Sequence, residues 1–446
     1  MLDSVKHNLQ GKATRFIENG TTNLHQKIND VENLVNSSTQ QLTNSLKELS
    51  SNPVYMDFVS LEYVLDTIES TRSRKPRLLI CGFYGARNLG DELMLQSLLK
   101  RINNNKFDIT IMLAEHPEVD ASIYAPYHVV HYPQRNDDIL TLARNYDVIV
   151  WGGGAVLDDR WYYFNYSHNS LGYILLKTSL AAFKFNKKVF VLGVSTNQTI
   201  EDPNFIQDLQ AVVSQADYFS LRDTNSLKTL QNSHIDTSKV KIIDDLAISD
   251  LPNRIPQKHS KKPCIGLVFI FNDNNLSIIS SFVRLVIAYF ADKPVTLNLI
   301  PFYDHNDLDQ KLFQEILSSL KIPQNITTNI EPFSNNIGEL IQTFSQCDCI
   351  FSMRYHATLI ASLCGIKTLS INYGKEHCHY QNKLSYIKEH YNDFEEIPFS
   401  NITDKESVFA AIKRAFEQTS HKYNSQQIRT IDKKLSKILE QINKLP

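Results

Sequence analysis

The chain has 446 residues, a formal net charge of -2 and 42% hydrophobic residues. That length exceeds one ordinary core and suits two domains with appendages. The near-neutral balance supplies no basic field for nucleic acid, and no run approaches the ~20 apolar residues of a membrane span.

Residues 1–75 are rich in Asn, Ser, Thr, Gln and Lys. Ile28, Val35, Leu42 and Leu49 fall seven apart, with Leu24 and Val31 in the intervening seam and Ser38 and Ser45 interrupting it. This spacing predicts a helical, coiled-coil-like extension. Such a helix suits a homo-oligomer, local docking on the body, or peripheral contact with a membrane surface. The basic stretch Ser70–Pro76 ends in proline and marks a boundary.

From Arg77 strands and helices alternate. Strands are expected at Leu78–Cys81, Ile109–Leu113, Val148–Trp151, Val189–Gly193, Tyr218–Leu221 and Val240–Ile243. Helices are expected at Glu92–Ile102, Ile139–Arg144, Leu171–Phe185, Phe205–Ala216 and Thr224–Leu230. The alternation predicts an α/β domain over 76–255 with a parallel sheet covered on both faces. Three prolines and a basic cluster in Leu251–Pro263 mark a linker. A second α/β domain follows over 262–400. Its strands are expected at Ile265–Ile270, Val295–Ile300, Cys349–Met353 and Thr368–Ile371, and its helices at Ile278–Phe290, Leu308–Leu320, Ile337–Phe344 and Ala357–Leu363. Residues 401–446 read as helical. There Ile428, Ile431, Leu435, Ile438, Leu439 and Ile442 form one apolar stripe suited to packing on the body.

The six cysteines form no Cys-x-x-Cys pair, and most sit in apolar runs. They read as reduced thiols in a cytoplasmic protein, and no metal site is expected. No apolar core of the signal-peptide type follows Met1.

Four strand ends carry chemistry. The first expected strand runs into Gly82-Phe83-Tyr84-Gly85-Ala86-Arg87-Asn88-Leu89-Gly90-Asp91-Glu92 and then a helix. Free backbone N–H groups at a helix start favour an anion, and Arg87 adds charge. The spacing fits neither a dinucleotide fingerprint nor a P-loop. Asp91 and Glu92 suit either first-turn capping or proton transfer. The strand Val148–Trp151 meets Gly152-Gly153-Gly154, with Asp158 and Asp159 close behind. Three successive glycines after a buried strand fit a backbone that contacts a ligand or a tight turn. Arg222-Asp223 follows a strand and precedes a helix. Asp223 suits an N-cap, which would leave Arg222 for an anion unless the two simply pair. The fourth is Met353-Arg354-Tyr355-His356, between a buried strand and a helix. It places a permanent cation and a proton shuttle on one turn, at the sheet edge where ligands bind in open α/β folds.

In order and context, Gly85–Glu92, Gly152–Asp159, Arg222-Asp223 and Ser352–Ala357 resemble the polysaccharide pyruvyl transferase family, over roughly Arg77 to Tyr386. The stretch Val194–Thr199 departs from the pattern in lacking extra glycines. The resemblance implies two Rossmann-like domains facing across a cleft, as in GT-B glycosyltransferases. It implies phosphoenolpyruvate as donor, no cofactor, and a glycan or lipid-linked glycan as acceptor, with work at the inner face of the cell membrane. By similarity His356 is the acid/base group, and a second proton function would fall to Glu92, Asp91 or Asp159. Arg354 and Arg222 would bind the donor, and Arg87, Asn88, Gly90, Gly152, Gly153, Gly154 and Asp159 would line the substrate site. The rival expectations are a GT-B glycosyltransferase using a nucleotide sugar and a non-enzymatic protein on the same fold.

Overall fold

The computed structural model describes residues 75–445 apart from 115–123, 134, 160–170, 197–198, 253–254, 257–261, 273, 304–306, 373–382, 419–422 and 424. The heptad seam of residues 24–49 and Cys378 lie outside the described residues.

The first half contains β1 (Arg77–Tyr84), α1 (Leu89–Leu99), β2 (Asp108–Leu113), β3 (His128–His131), α2 (Asn136–Asn145) and β4 (Val148–Leu157). It continues with α3 (Leu171–Lys184), β5 (Lys188–Thr196), α4 (Pro203–Gln215), β6 (Tyr218–Leu221), α5 (Thr224–Asn232) and β7 (Lys241–Ile242). A 3-10 turn, Leu246–Asp250, closes it. The second half contains β8 (Cys264–Val268), α6 (Leu276–Tyr289), β9 (Val295–Leu299), α7 (Leu308–Ser318), β10 (Ile326–Ile330) and α8 (Ile337–Ser345). Then come β11 (Cys349–Ser352), α9 (Tyr355–Leu363), β12 (Lys367–Asn372), α10 (Lys383–His390), β13 (Glu395–Pro398), α11 (Lys405–Glu417) and α12 (Ser425–Asn443).

Two parallel sheets result. The seven-stranded sheet has the order β3-β2-β1-β4-β5-β6-β7, and the six-stranded sheet β10-β9-β8-β11-β12-β13. Continuous apolar runs such as Leu78–Cys81 and Val148–Trp151 are buried because helices cover both faces of a parallel sheet. The strand order reverses between β1 and β4 in one sheet and between β8 and β11 in the other. Such reversals open a crevice at the carboxyl ends of the strands. The architecture is two Rossmann-like halves in the GT-B-like arrangement.

Some boundaries differ from expectation. β4 does not stop at Trp151 but continues through the three glycines, with a register shift against β5 between Gly154 and Leu157. β3, β10 and β13 carry little apolar signal because each lies at a sheet edge, and β3 is largely exposed. Cys81, Cys264, Cys347, Cys349 and Cys364 are buried free thiols.

The apolar stripe of α12 is buried, as its spacing predicts. The helix follows the second sheet in sequence but packs on the first half. Arg101 Nη2 donates to Asp432 Oδ1 at 2.8 Å, and Lys106 Nζ and Asn443 Nδ2 bond backbone carbonyls across the same contact. Among the described residues no helix is long and apolar enough to cross a membrane.

Candidate active site

The turn between β11 and α9 is built around Ser352. Its Oγ accepts from the Arg354 backbone N–H at 3.0 Å and donates to the Arg354 carbonyl at 2.9 Å. Arg354 is the extended N-cap of α9, so Tyr355 and His356 occupy the first turn. The Arg354 guanidinium is mostly buried. Its Nε donates to the Phe269 carbonyl just beyond β8 at 3.0 Å. Nη2 lies 3.9 Å from Asp309 Oδ1, and the group sits 5.4 Å from the centre of the Tyr303 ring. Among the described residues no hydrogen bond engages its Nη1. Asp309 is buried, and its Oδ2 accepts from the backbone of Phe302 and of Tyr303, each at 2.9 Å. That carboxylate fixes the β9–α7 turn beside Arg354.

His356 faces the other half of the molecule. Its Nε2 is 3.3 Å from Asp245 Oδ2, an ion-pair separation without hydrogen-bond alignment. Its Nδ1 lies against Gly90 at the start of α1, where a Cβ would come within 1.9 Å. Asp245 is 1% exposed and caps the 3-10 turn by accepting from Ala247 N at 3.0 Å. Arg222 Nη1 donates to the same Oδ2 at 2.8 Å, and the guanidinium lies 4.2 Å from the centre of the Tyr355 ring. Burial alone would raise the Asp245 carboxyl, but His356, Arg222 and the Ala247 N–H outweigh it and hold it below the usual carboxylate range. Asp223 caps α5 by accepting from Ser226 N at 2.6 Å, and its other oxygen is 3.8 Å from Arg222 Nε.

The glycine-rich turn after β1 abuts this site. Asn88 forms an antiparallel bridge with Tyr303, and Leu89 N donates to the Phe302 carbonyl at 2.9 Å. Arg87 adopts a positive φ of 51°, bonds Asp307 Oδ1 at 3.3 Å and covers the Phe333 ring. Glu92 turns inward. Its oxygens accept from Gly85 N at 2.9 Å and from the Tyr124 hydroxyl at 2.5 Å. Burial pushes the Glu92 carboxyl up to about 7, against the lowering effect of those two donors.

The run in β4 is packed closely. A Cβ on Gly152 would meet the Tyr84 hydroxyl at 1.9 Å, and one on Gly153 would meet Met94 Sδ at 2.7 Å. On Gly154 it would lie 3.1 Å from Asp91 Oδ1. Gly153 and Gly154 have φ of 85° and 91°, which favour glycine independently of space. Asp159 accepts from the backbone of Glu201 and Asp202 at 2.6 and 2.9 Å and orders the approach to α4.

The structure therefore brings His356, Arg354, Arg87, Asn88 and Gly90 together where the two halves meet, with Arg222 buried behind them on Asp245, while Glu92 and Asp91 on α1 and the three glycines of β4 pack beside the glycine-rich turn. Asp159 bonds the chain leading into α4. Asp245, Asp309, Tyr303 and Tyr355 were not anticipated. Asp245 had a readable signal, since Asp244-Asp245 directly follows the expected strand Val240–Ile243. Asp309 reads only as a first-turn acid of a helix.

The sequence model for the family described as polysaccharide pyruvyl transferase matches residues 88–375, and the chain belongs to this family. Membership makes it a transferase that modifies polysaccharide. A search of curated protein sequences gives no match. Among solved structures, the S. aureus MnaA–UDP complex is similar at 14% identity and TM-score 0.53, covering 84% of this chain and 99% of that one. UDP-GlcNAc 2-epimerases from Neisseria meningitidis and Methanocaldococcus jannaschii follow. The first has 12% identity, TM-score 0.51 and coverage of 82% and 100%. The second has 11% identity, TM-score 0.51 and coverage of 81% and 99%. These likenesses describe the fold alone.

Proposed function

We propose that the protein transfers the pyruvyl unit of phosphoenolpyruvate to a glycan diol and closes a pyruvate ketal. The observation that carries this reading is the juxtaposition of Arg354 and His356 at one cleft edge, backed by Asp309 and Asp245. The donor presents a carboxylate and a phosphate. A guanidinium binds such groups through charge-assisted, often bidentate hydrogen bonds, and Arg354 is the guanidinium this reading assigns to them. His356 delivers a proton to the methylene carbon of the donor, which leaves an oxocarbenium-like centre at C2. One acceptor hydroxyl adds there, phosphate departs, and a second hydroxyl closes the ketal. The sum is donor plus diol giving ketal plus phosphate, with no oxidant or reductant required. The acceptor is a glycan or lipid-linked glycan.

Thermal-shift titration tests the donor assignment. Phosphoenolpyruvate at 100 times its Kd should stabilise the protein by about 2.7 kcal/mol, with no comparable effect from a uridine or guanosine diphosphate sugar. Stabilisation by the nucleotide sugar alone would assign the cleft to glycosyl transfer instead.

A further inference from the structure

A guanidinium and an imidazole converge on one carboxylate between the two halves. Asp245 and Arg222 come from the first half, and His356 and Tyr355 from the second. Arg222 Nη1 and His356 Nε2 both address Asp245 Oδ2, at 2.8 and 3.3 Å. Asp245 and Arg222 are 1% and 2% exposed, so neither charge is relaxed by water. Removing Asp245 would take the hydrogen-bonded carboxylate from a buried guanidinium and leave Asp223, 3.8 Å from its Nε, as the nearby anion. The Tyr355 ring closes the guanidinium face and stands edge-on to the imidazole, with centroids 5.1 Å apart. Gly90 abuts the opposite imidazole nitrogen. The ring therefore stands within ion-pair reach of Asp245 on one side and is confined by α1 on the other.

Building on the acid/base role given to His356 above, we infer that Asp245 is the positioning residue of the reaction. It holds the imidazole with Nδ1 toward the glycine-rich turn and stabilises the imidazolium before proton delivery. Arg222 serves this arrangement by keeping Asp245 ionised and fixed. Because the carboxylate and the imidazole belong to different halves, both halves together place the proton donor.

The charged and titratable groups around His356 are Asp245 and, through it, Arg222 from the first half, and Tyr355 on its own helix, with Asp223 behind Arg222. Asp245→Asn removes the adjacent anion and leaves the others. The imidazolium then loses stabilisation, so the limb of the pH–rate profile that reports it moves to lower pH. The expected result for Asp245→Asn is a fall in kcat of about 10²-fold with KM for phosphoenolpyruvate changed less than about threefold, and that displaced limb. If this variant fails to fold, Arg222→Gln/Asp245→Asn removes both members of the buried pair, and the displaced limb is read there. An unchanged pH–rate limb in a folded variant overturns the inference. So does a loss confined to KM. His356→Ala is assayed alongside. If His356→Ala is inactive while Asp245→Asn behaves as wild type, the positioning role alone falls. If His356→Ala turns over normally, the acid/base assignment falls and takes the positioning role with it.

Discussion

A Cβ on Gly90 would sit 1.9 Å from His356 Nδ1 and 2.5 Å from its Cγ, so any side chain there must rotate the imidazole away from Asp245. Gly90→Ala should fold normally yet lose about 10²–10⁴ in kcat, measured with circular dichroism as the folding control. Arg354 poses a different question, one of shape rather than charge. Arg354→Lys keeps the cation and loses the planar fork, so its donor affinity should fall nearly as far as that of Arg354→Ala. Equal affinity of Arg354→Lys and wild type in isothermal titration would show that charge alone suffices. Glu92 contributes through pH. Its folded pKa, about 7, lies above the ordinary carboxylate value, so the native state favours the protonated form. The stability it supplies is complete below about pH 4.3 and is lost as pH rises through 7. Relative to Glu92→Gln, wild type should lose on the order of 3 kcal/mol across that window, read from denaturant unfolding at several pH values. Parallel pH curves for the two proteins would contradict this account of Glu92.

At the scale of elements, α12 shows how burial and surface charge differ in weight. Leu435 is 1% exposed in its apolar stripe, and Leu435→Ala should cost about 2–5 kcal/mol. Asp432 is 42% exposed on its side chain, and Arg101 keeps Asp250 at 2.7 Å without it. Asp432→Ala should therefore cost no more than about 1 kcal/mol. Chemical denaturation of the two variants compares these directly. The stripe was legible because a 3.6-residue period survives any partner. The buried parallel strands were legible because both of their faces are apolar. What sequence could not supply was partnership across the cleft. Asp245 and His356 are more than a hundred residues apart, and only the facing of two sheets brings them together. Edge strands were missed for a related reason. β13 holds Glu395 and Glu396 because one side of it meets solvent, which erases the apolar signal. The glycine run, read as ligand contact or a tight turn, continues β4 instead of turning, and its glycines make room for Tyr84, Met94 and Asp91.

Considered whole, the molecule sets the switch points of two parallel sheets against each other. The first half supplies the glycine-rich turn, Arg222 and Asp245, and the second supplies Arg354, His356 and Asp309. Several bonds tie the halves beside the cleft. Gln96 Nε2 donates to the Asn335 carbonyl at 2.7 Å, Asn225 Nδ2 to Ser385 Oγ at 3.1 Å, and Tyr391 to Asp244 Oδ1 at 2.9 Å. Neither half alone contains the full set of groups, so separately produced halves should show no transfer. The most direct measurement is of product. The protein is incubated with phosphoenolpyruvate and glycans bearing suitably spaced hydroxyl pairs, and phosphate release and acceptor mass are followed together. The account predicts one phosphate per ketal-sized mass increment, with both signals abolished in a folded His356→Ala protein. Acceptors modified instead by a sugar from a nucleotide donor, or wild-type turnover by folded His356→Ala, would contradict it.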